Sequence, residues 1–279
     1  MPQPTMPLTP LERISSLLLA AVAVLTGIFL IAPILAIVPL GFSDGEFLVY
    51  PIRAFSLKWM EAFFASEKWS LAVKNSFAIG AASAVIAAVL GTAAAVGLAR
   101  SDFPGKKVVT ALLLSPLVVP VVIYAVGLYF FFAPLGLTQT YTGIVLAHAA
   151  LGSPFVVVTV GASLAGFDHN LMRAAASLGA PPLLAFRRVM LPLVLPGVVT
   201  GTLFAFAASF DEVVTVLFLA APQQRTIPRE MFSGLRESLS PMIAAASIVM
   251  MVAALLLLVA VELLKRRTER MQAGRKDAA

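Results

Sequence analysis

The chain has 279 residues, 60% of them hydrophobic and only 12% charged, with a mean hydropathy of +0.96. Soluble domains carry about 25% charged residues, so this composition excludes an ordinary soluble domain and points to the membrane. Cysteine is absent, which removes disulfide frameworks, thiolate metal sites and cysteine nucleophiles together.

About 20 apolar residues cross a bilayer, and six runs qualify: 17–40, 76–99, 108–133, 142–166, 195–221 and 242–261. The first is too long for a signal-peptide core and lacks a small-residue cleavage site, so it is expected to remain as the first helix. An all-α bundle is expected, because open sheet edges do not survive in hydrocarbon. It forms one transmembrane domain over residues 17–264, between a short N-terminal segment (1–16) and a basic, frayed tail (265–279). The net charge of +6 alone would suggest nucleic acid, but the basic residues flank the apolar runs and are read as a topological signal. Thirteen Lys and Arg fall in one set of connections, including Arg13, Arg100 and Arg187, against seven in the other, where six acids balance them. Both termini are therefore expected in the cytoplasm, together with the connection 167–194.

The first outer loop, residues 41–74, contains FSLKWMEAFF from Phe55. This stretch is expected to form an interfacial helix with Trp59, Phe63 and Phe64 as aromatic anchors toward lipid or protein. The second span repeats small residues at four-residue spacing (Ser83, Ala87, Gly91, Ala95, Ala99), and the fifth does the same (Gly197, Gly201, Ala205, Ser209). Such stripes let helices approach closely, within a subunit or across a dimer. The second outer loop, from Pro222, is polar enough to meet a soluble partner.

Between the fourth and fifth spans lies MRAAASLGAPPLLAFRRVMLPLVLPG, residues 172–197. Asp168 suits an N-cap for a short helix from His169 to Leu178. Gly179 suits its C′ position, and Pro181-Pro182 prevents continuation. At roughly 28 residues this connection is too long for a plain linker; a helix–Gly–helix knob of this kind is able to enter a cleft on another protein.

Arg173, Ala174, Ala175, Gly179, Val189, Leu191 and Pro192 follow the spacing of EAA-x3-G-x9-I-x-L-P, with Arg173 at the position of the Glu. The sequence here resembles the EAA loop of ABC importer permeases. The later stretch SFDEVVTVLFLA from Ser209 resembles the second permease subunit of spermidine/putrescine importers. The resemblance implies a type I ABC importer permease of the bacterial inner membrane, non-catalytic, with a coupling helix seated in a groove of a cytoplasmic ATPase. It implies a homologous second permease subunit, two ATPase subunits that bind ATP and Mg, a periplasmic solute-binding protein and surrounding membrane lipid. No cofactor in this chain, no metal and no nucleic acid are expected. Coupling is expected from Arg173, Ala174, Ala175, Leu178, Gly179, Leu191 and Pro192. In the family the leading Glu contacts the ATPase, so Arg173 leaves that one contact without a counterpart.

Asp211 and Glu212 lie ~15 residues into the fifth apolar run, about 22 Å along a helix. A lone mid-bilayer charge costs roughly 2.5–3.5 kcal/mol, so they either line a hydrated path for a cationic solute or sit near the outer interface, capped by water or paired with Arg225 or Arg229. Tyr124 and Tyr129 in the third run are further path candidates through cation–π attraction, with core packing as the alternative. His148 is expected to be a packed polar residue bonded to a neighbouring helix. The solute stays open among a polyamine, an opine, an amino-acid derivative and a metal chelate. A proton-coupled carrier using Asp211, Glu212 and His148 is the rival reading, disfavoured because neither an internal repeat nor a broken span is evident. An intramembrane enzyme lacks any matching motif, and no G-x-x-x-x-G-K-[ST] loop is present.

Overall fold

The computed structural model describes residues 10–168, 170–237 and 240–276. Among these the regular structure is helical, apart from one isolated antiparallel bridge between Ser43 and Phe55. The chain divides into two compact units, Met1–Phe63 with Leu239–Ile248, and Phe64–Ser238 with Val249–Ala279.

In the first unit, helix α1 (Pro10–Leu40) contains the apolar stretch Ile14–Leu40. Its 27 residues reach about 40 Å, enough to cross a hydrocarbon core of roughly 30 Å. After α1 the chain turns at Gly41, where a β-carbon would come within 3.3 Å of the Ala244 carbonyl carbon. The loop then folds on itself. The Asp44 amide donates to the Ala54 carbonyl at 3.1 Å, and the Trp59 indole N–H donates to the Gly45 carbonyl at 2.8 Å. Helix α2 (Lys58–Ala65) forms where an interfacial helix is expected, but its aromatics do not act alike. Phe63 is buried, Trp59 is half-buried and Phe64 is exposed, so one of the three expected anchors packs inside the protein.

The second unit is built on three helices, α3 (Glu67–Arg100), α6 (Tyr141–Ala165) and α9 (Leu191–Asp211), which pack mutually. The small-residue stripes supply the contact. A β-carbon at Gly91 would lie 2.7 Å from the Val156 β-carbon, and one at Gly152 would lie 2.8 Å from that of Ala205. Ser83, Ala87, Gly91 and Ala95 are buried with Gly197, Gly201, Ala205 and Ser209, so both stripes are spent within the chain; only Ala99 is exposed. Where lipid offers no hydrophobic drive, this close approach gathers the dispersion contacts that hold the helices together. Thr159 adds a polar tie, its hydroxyl donating to the Gly197 carbonyl at 2.8 Å.

Two expected spans are interrupted. The third is not one helix over 108–133: α4 (Lys106–Leu114) runs through a 3₁₀ turn at Ser115–Leu117, breaks, and resumes as α5 (Val121–Phe132) at a bend of 106°. Pro116 and Pro120 account for the break, because each lacks an N–H and disfavours helix in the residue before it. The fifth does not reach residue 221 unbroken. It starts earlier, as a short α8 (Pro182–Ala185) and a π turn (Phe186–Met190) leading into α9, and stops at Asp211. A separate α10 (Val214–Leu219) follows. Among the described residues, five unbroken helical segments are long and apolar enough to cross a membrane, or six if the bent pair is one span. Helix α11 (Ile227–Glu237) precedes α12 (Met242–Lys276), which continues helical through most of the tail expected to fray.

Candidate functional site

The connection between α6 and α9 carries the first candidate site. Helix α7 (Asn170–Ser177) opens on Asp168, whose carboxylate accepts the Asn170 amide at 2.9 Å while its carbonyl accepts Leu171. The expected start at His169 lies outside the described residues. At the other end Gly179 takes φ +80°. Its amide donates to the Ala176 carbonyl at 2.9 Å, and the Ala180 amide donates to the Ala175 carbonyl at 3.1 Å. This pair of bonds is the Schellman closure, which requires a left-handed residue that glycine adopts without a β-carbon penalty. Pro182 then starts α8, and Pro192, having no N–H, follows the π turn that eases the chain into α9.

The knob is anchored on one side and bare on the other. Met172, Phe167, Phe186 and Met190 pack with the buried cluster of α3, α6 and α9. Arg173, Ala174, Leu178 and Gly179 are exposed, Ala175 and Leu191 are half-buried, and Pro192 is exposed. Leu178 is 89% exposed, the highest value of any large hydrophobic side chain among the described residues. The Arg173 guanidinium donates to the Asn170 side-chain carbonyl on its own helix. This helix end thus presents a bare leucine beside an unobstructed glycine.

The second candidate site is the break after α9. Glu212 leaves the helix with extended backbone (φ −74°, ψ 123°), and its carboxylate accepts the Thr215 amide at 2.7 Å. It therefore caps the start of α10, and this bond competes with continuation of α9. Glu212 therefore does not continue the Gly201–Ala205 face of α9. The break also separates the two carboxylates. Glu212 lies at a helix N-terminus, where negative charge is favoured, whereas Asp211 lies at the C-terminal end of α9, where the helix dipole disfavours it by about 0.3–1 kcal/mol. Asp211 is exposed and makes no hydrogen bond or ion pair among the described residues.

The alternative partners for these carboxylates are otherwise engaged. Arg225 pairs with Glu230 at 3.0 Å, and Lys68 of α3 reaches the other oxygen of Glu230 at 2.6 Å. Glu230, 1% exposed, is an element that the sequence reading missed, since its partner Lys68 lies far away in the chain. Around it Asn75 donates to the carbonyls of Gln223 and Arg225, at 2.8 and 2.9 Å, and Ser76 accepts the Ile227 amide at 2.9 Å. Much of the polarity of this loop is thus consumed within the chain.

Tyr124 donates from its hydroxyl to the Ala147 carbonyl at 2.6 Å, tying α5 to α6, and lies within electrostatic range of Glu212. Helix α10 packs on α5, which explains how the break draws these two together. Tyr129 is exposed and meets the Phe130 ring edge-on. His148 is buried and bonds through Nδ1 to the Ser209 hydroxyl at 2.7 Å, the neighbouring-helix role expected of it.

Residues 87–270 match the family model described as binding-protein-dependent transport system inner membrane component. The chain is 31% identical over 217 residues to the spermidine/putrescine transport system permease protein PotC of Haemophilus influenzae, covering 78% of this chain and 84% of that one. It is 33% identical over 224 residues to the putrescine transport system permease protein PotI of Escherichia coli K12, covering 78% and 79%. In fold it is similar to a chain of a bacterial ABC transporter involved in the import of the acidic polysaccharide alginate, with a TM-score of 0.72 at 16% identity over 92% of this chain and 99% of that one.

Proposed function

The chain belongs to the family of binding-protein-dependent transport system inner membrane components, and from that premise we propose that it is the permease subunit of an ATP-driven ABC importer for a small polyamine-like cation. It forms half of the translocation path, beside a homologous second permease. Two ATPase subunits bind ATP and Mg on the cytoplasmic side, and a periplasmic binding protein delivers the solute. This chain itself carries no catalytic residue and no cofactor. Both termini lie in the cytoplasm, a topology supported by the thirteen-to-seven distribution of Lys and Arg.

The observation that carries the reading is the knob at residues 170–179, closed by Gly179 and presenting Leu178 bare. Nucleotide-driven movement of an ATPase holding this knob passes through Met172, Phe186 and Met190 into the α3–α6–α9 packing. The prolines and π turn before α9 give that helix a place to bend. Arg173, Ala174 and Ala175 complete the ATPase-facing surface, and Leu191 with Pro192 set the angle at which α9 departs. The polyamine class is supported by the relatives PotC and PotI and by Asp211, an unpaired carboxylate in an apolar span; Glu212, Tyr124 and Tyr129 are the further path candidates.

Purification of the tagged chain in mild detergent tests the reading. It should bring down a protein that bears the G-x-x-x-x-G-K-[ST] phosphate loop. Recovery of a homogeneous preparation with no such ATPase, from cells still importing the solute, would contradict it.

A further inference from the structure

The exposed side of α3 changes character along the helix. Val85, Val89 and Leu90 are exposed and bulky, whereas Ala93 and Gly97, about two turns and one turn before Arg100, are exposed and small. A β-carbon at Gly97 would meet nothing within 4 Å. The small residues leave a groove of about 520 Å³, lined by Ala93, Val96, Gly97, Arg100, Ser101 and Phe186. Val96 and Phe186 also pack on the buried cluster of α3, α6 and α9, so the groove lies between the end of α3 and the π turn at the root of the knob.

Its polar lining is confined to the helix end. Arg100 is exposed and makes no hydrogen bond or ion pair among the described residues, and Ser101 follows it as the C-cap. No carboxylate lines the groove, and the adjacent Asp102 is taken by Lys106 at 3.0 Å. Arg187 and Arg188, exposed directly after Phe186, add positive charge on this side. Ala93 lies about 10 Å along the helix from Arg100, inside the apolar span. A small free anion makes no use of that apolar length. A polyamine-like cation meets Arg100 with the wrong sign, and a plain hydrocarbon leaves the guanidinium without a partner. An amphiphile with an anionic head satisfies both ends, charge against charge at the surface and methylenes against apolar wall below it. We infer that this groove is a binding site for an anionic phospholipid, whose phosphate takes Arg100 and the Ser101 hydroxyl and whose acyl chain lies along Ala93, Val96, Gly97 and Phe186. The inference goes beyond the importer reading and depends on neither the solute nor the ATPase, only on α3 crossing the bilayer. A lipid seated there touches Val96 and Phe186, and so bears on the packing through which the knob meets the spans.

The complete importer is reconstituted in phosphatidylcholine nanodiscs that carry a trace of phosphatidylglycerol with a photoreactive diazirine in its acyl chain. After illumination, labelling of the peptides bearing Ala93–Arg100 and Phe186 is quantified by mass spectrometry. Both should label. Unlabelled phosphatidylglycerol should suppress the labelling, whereas further phosphatidylcholine or inorganic phosphate should not. Arg100→Gln should lower it about fivefold, the order expected for one basic residue at an anionic surface. Gly97→Leu fills the groove without changing its charge and should lower labelling at least as far. Lys107→Gln removes an exposed cation outside the lining and should leave labelling nearly unchanged. Wild-type labelling in Gly97→Leu, equal losses in Lys107→Gln and Arg100→Gln, or equal suppression by the two phospholipids overturns the site. Suppression by inorganic phosphate makes it a small-anion site and overturns the lipid assignment. Labelling that spares these two peptides while marking other apolar helices shows a groove covered by protein, and overturns it as well.

Discussion

Replacing Gly179 separates strain within the chain from obstruction of a partner. A β-carbon at this position meets nothing within 4 Å, while φ is +80°. The cost of any L-residue to the isolated permease is therefore conformational alone, about 1–2 kcal/mol. It falls on a helix end closed by two backbone bonds, Gly179 to Ala176 and Ala180 to Ala175, and not on the buried cluster. Gly179→Ala, Gly179→Asn and Gly179→Trp should accordingly insert and fold, with melting lowered by no more than about 2–8 °C, and with Asn the least strained because it tolerates the left-handed region. They should part company at the ATPase. Asn retains binding, Ala weakens it by up to about tenfold, as expected if the 1–2 kcal/mol of strain is released when the knob is free and must be restored on docking. Trp abolishes coupled ATP turnover because its bulk occupies the space the partner needs. Co-purification and solute-stimulated ATP turnover read the two effects separately. Full coupling in Gly179→Trp would refute the reasoning, since it would leave no room for a close-fitting partner at this glycine.

Glu230→Ala leaves Lys68 and Arg225 without their shared carboxylate, and because both cations keep contact with solvent the loss is that of charged hydrogen bonds, about 1.5–3 kcal/mol. The variant should unfold at a clearly lower temperature in detergent than Asp102→Ala, which removes only an exposed i,i+4 pair with Lys106. Gly201→Leu places a side chain where Val156 and Thr159 already stand, so it should disrupt the α6–α9 contact and lower folded yield, whereas Gly97→Leu, in open space, should be tolerated. Single cysteines at Glu67, Ser101 and Leu235 are all exposed in this cysteine-free chain. Impermeant maleimide added to intact cells should label Glu67→Cys and Leu235→Cys but not Ser101→Cys; labelling of Ser101→Cys from outside would invert the topology.

Much of the first candidate site is legible because its determinants are local. Asp168, Gly179 and Pro181-Pro182 fix the ends of α7 through bonds spanning two to five residues, and such bonds follow from residue types at set offsets. The small-residue stripes are legible for a similar reason, since four-residue spacing fixes one helix face before its partner is known. The break at Pro116–Pro120 is hidden inside an apolar run, where hydropathy is continuous and the prolines alone mark the bend. The end of α9 depends on whether Glu212 bonds forward to Thr215 or stays in the helix, a choice that local propensity does not decide. The Lys68–Glu230–Arg225 cluster is invisible in sequence, because three ordinary charges acquire their meaning only when α11 is laid against the start of α3.

The central claim, an importer subunit whose ATPase is driven by a polyamine-like cation, is tested most directly by ATP turnover of the reconstituted complex. Its binding protein is loaded in turn with putrescine, spermidine, an opine, an amino acid or a metal chelate. The account predicts that putrescine or spermidine raises turnover several-fold over the empty binding protein, and that the stimulation disappears with Gly179→Trp. Stimulation by an opine, amino acid or chelate with none by either polyamine would contradict it.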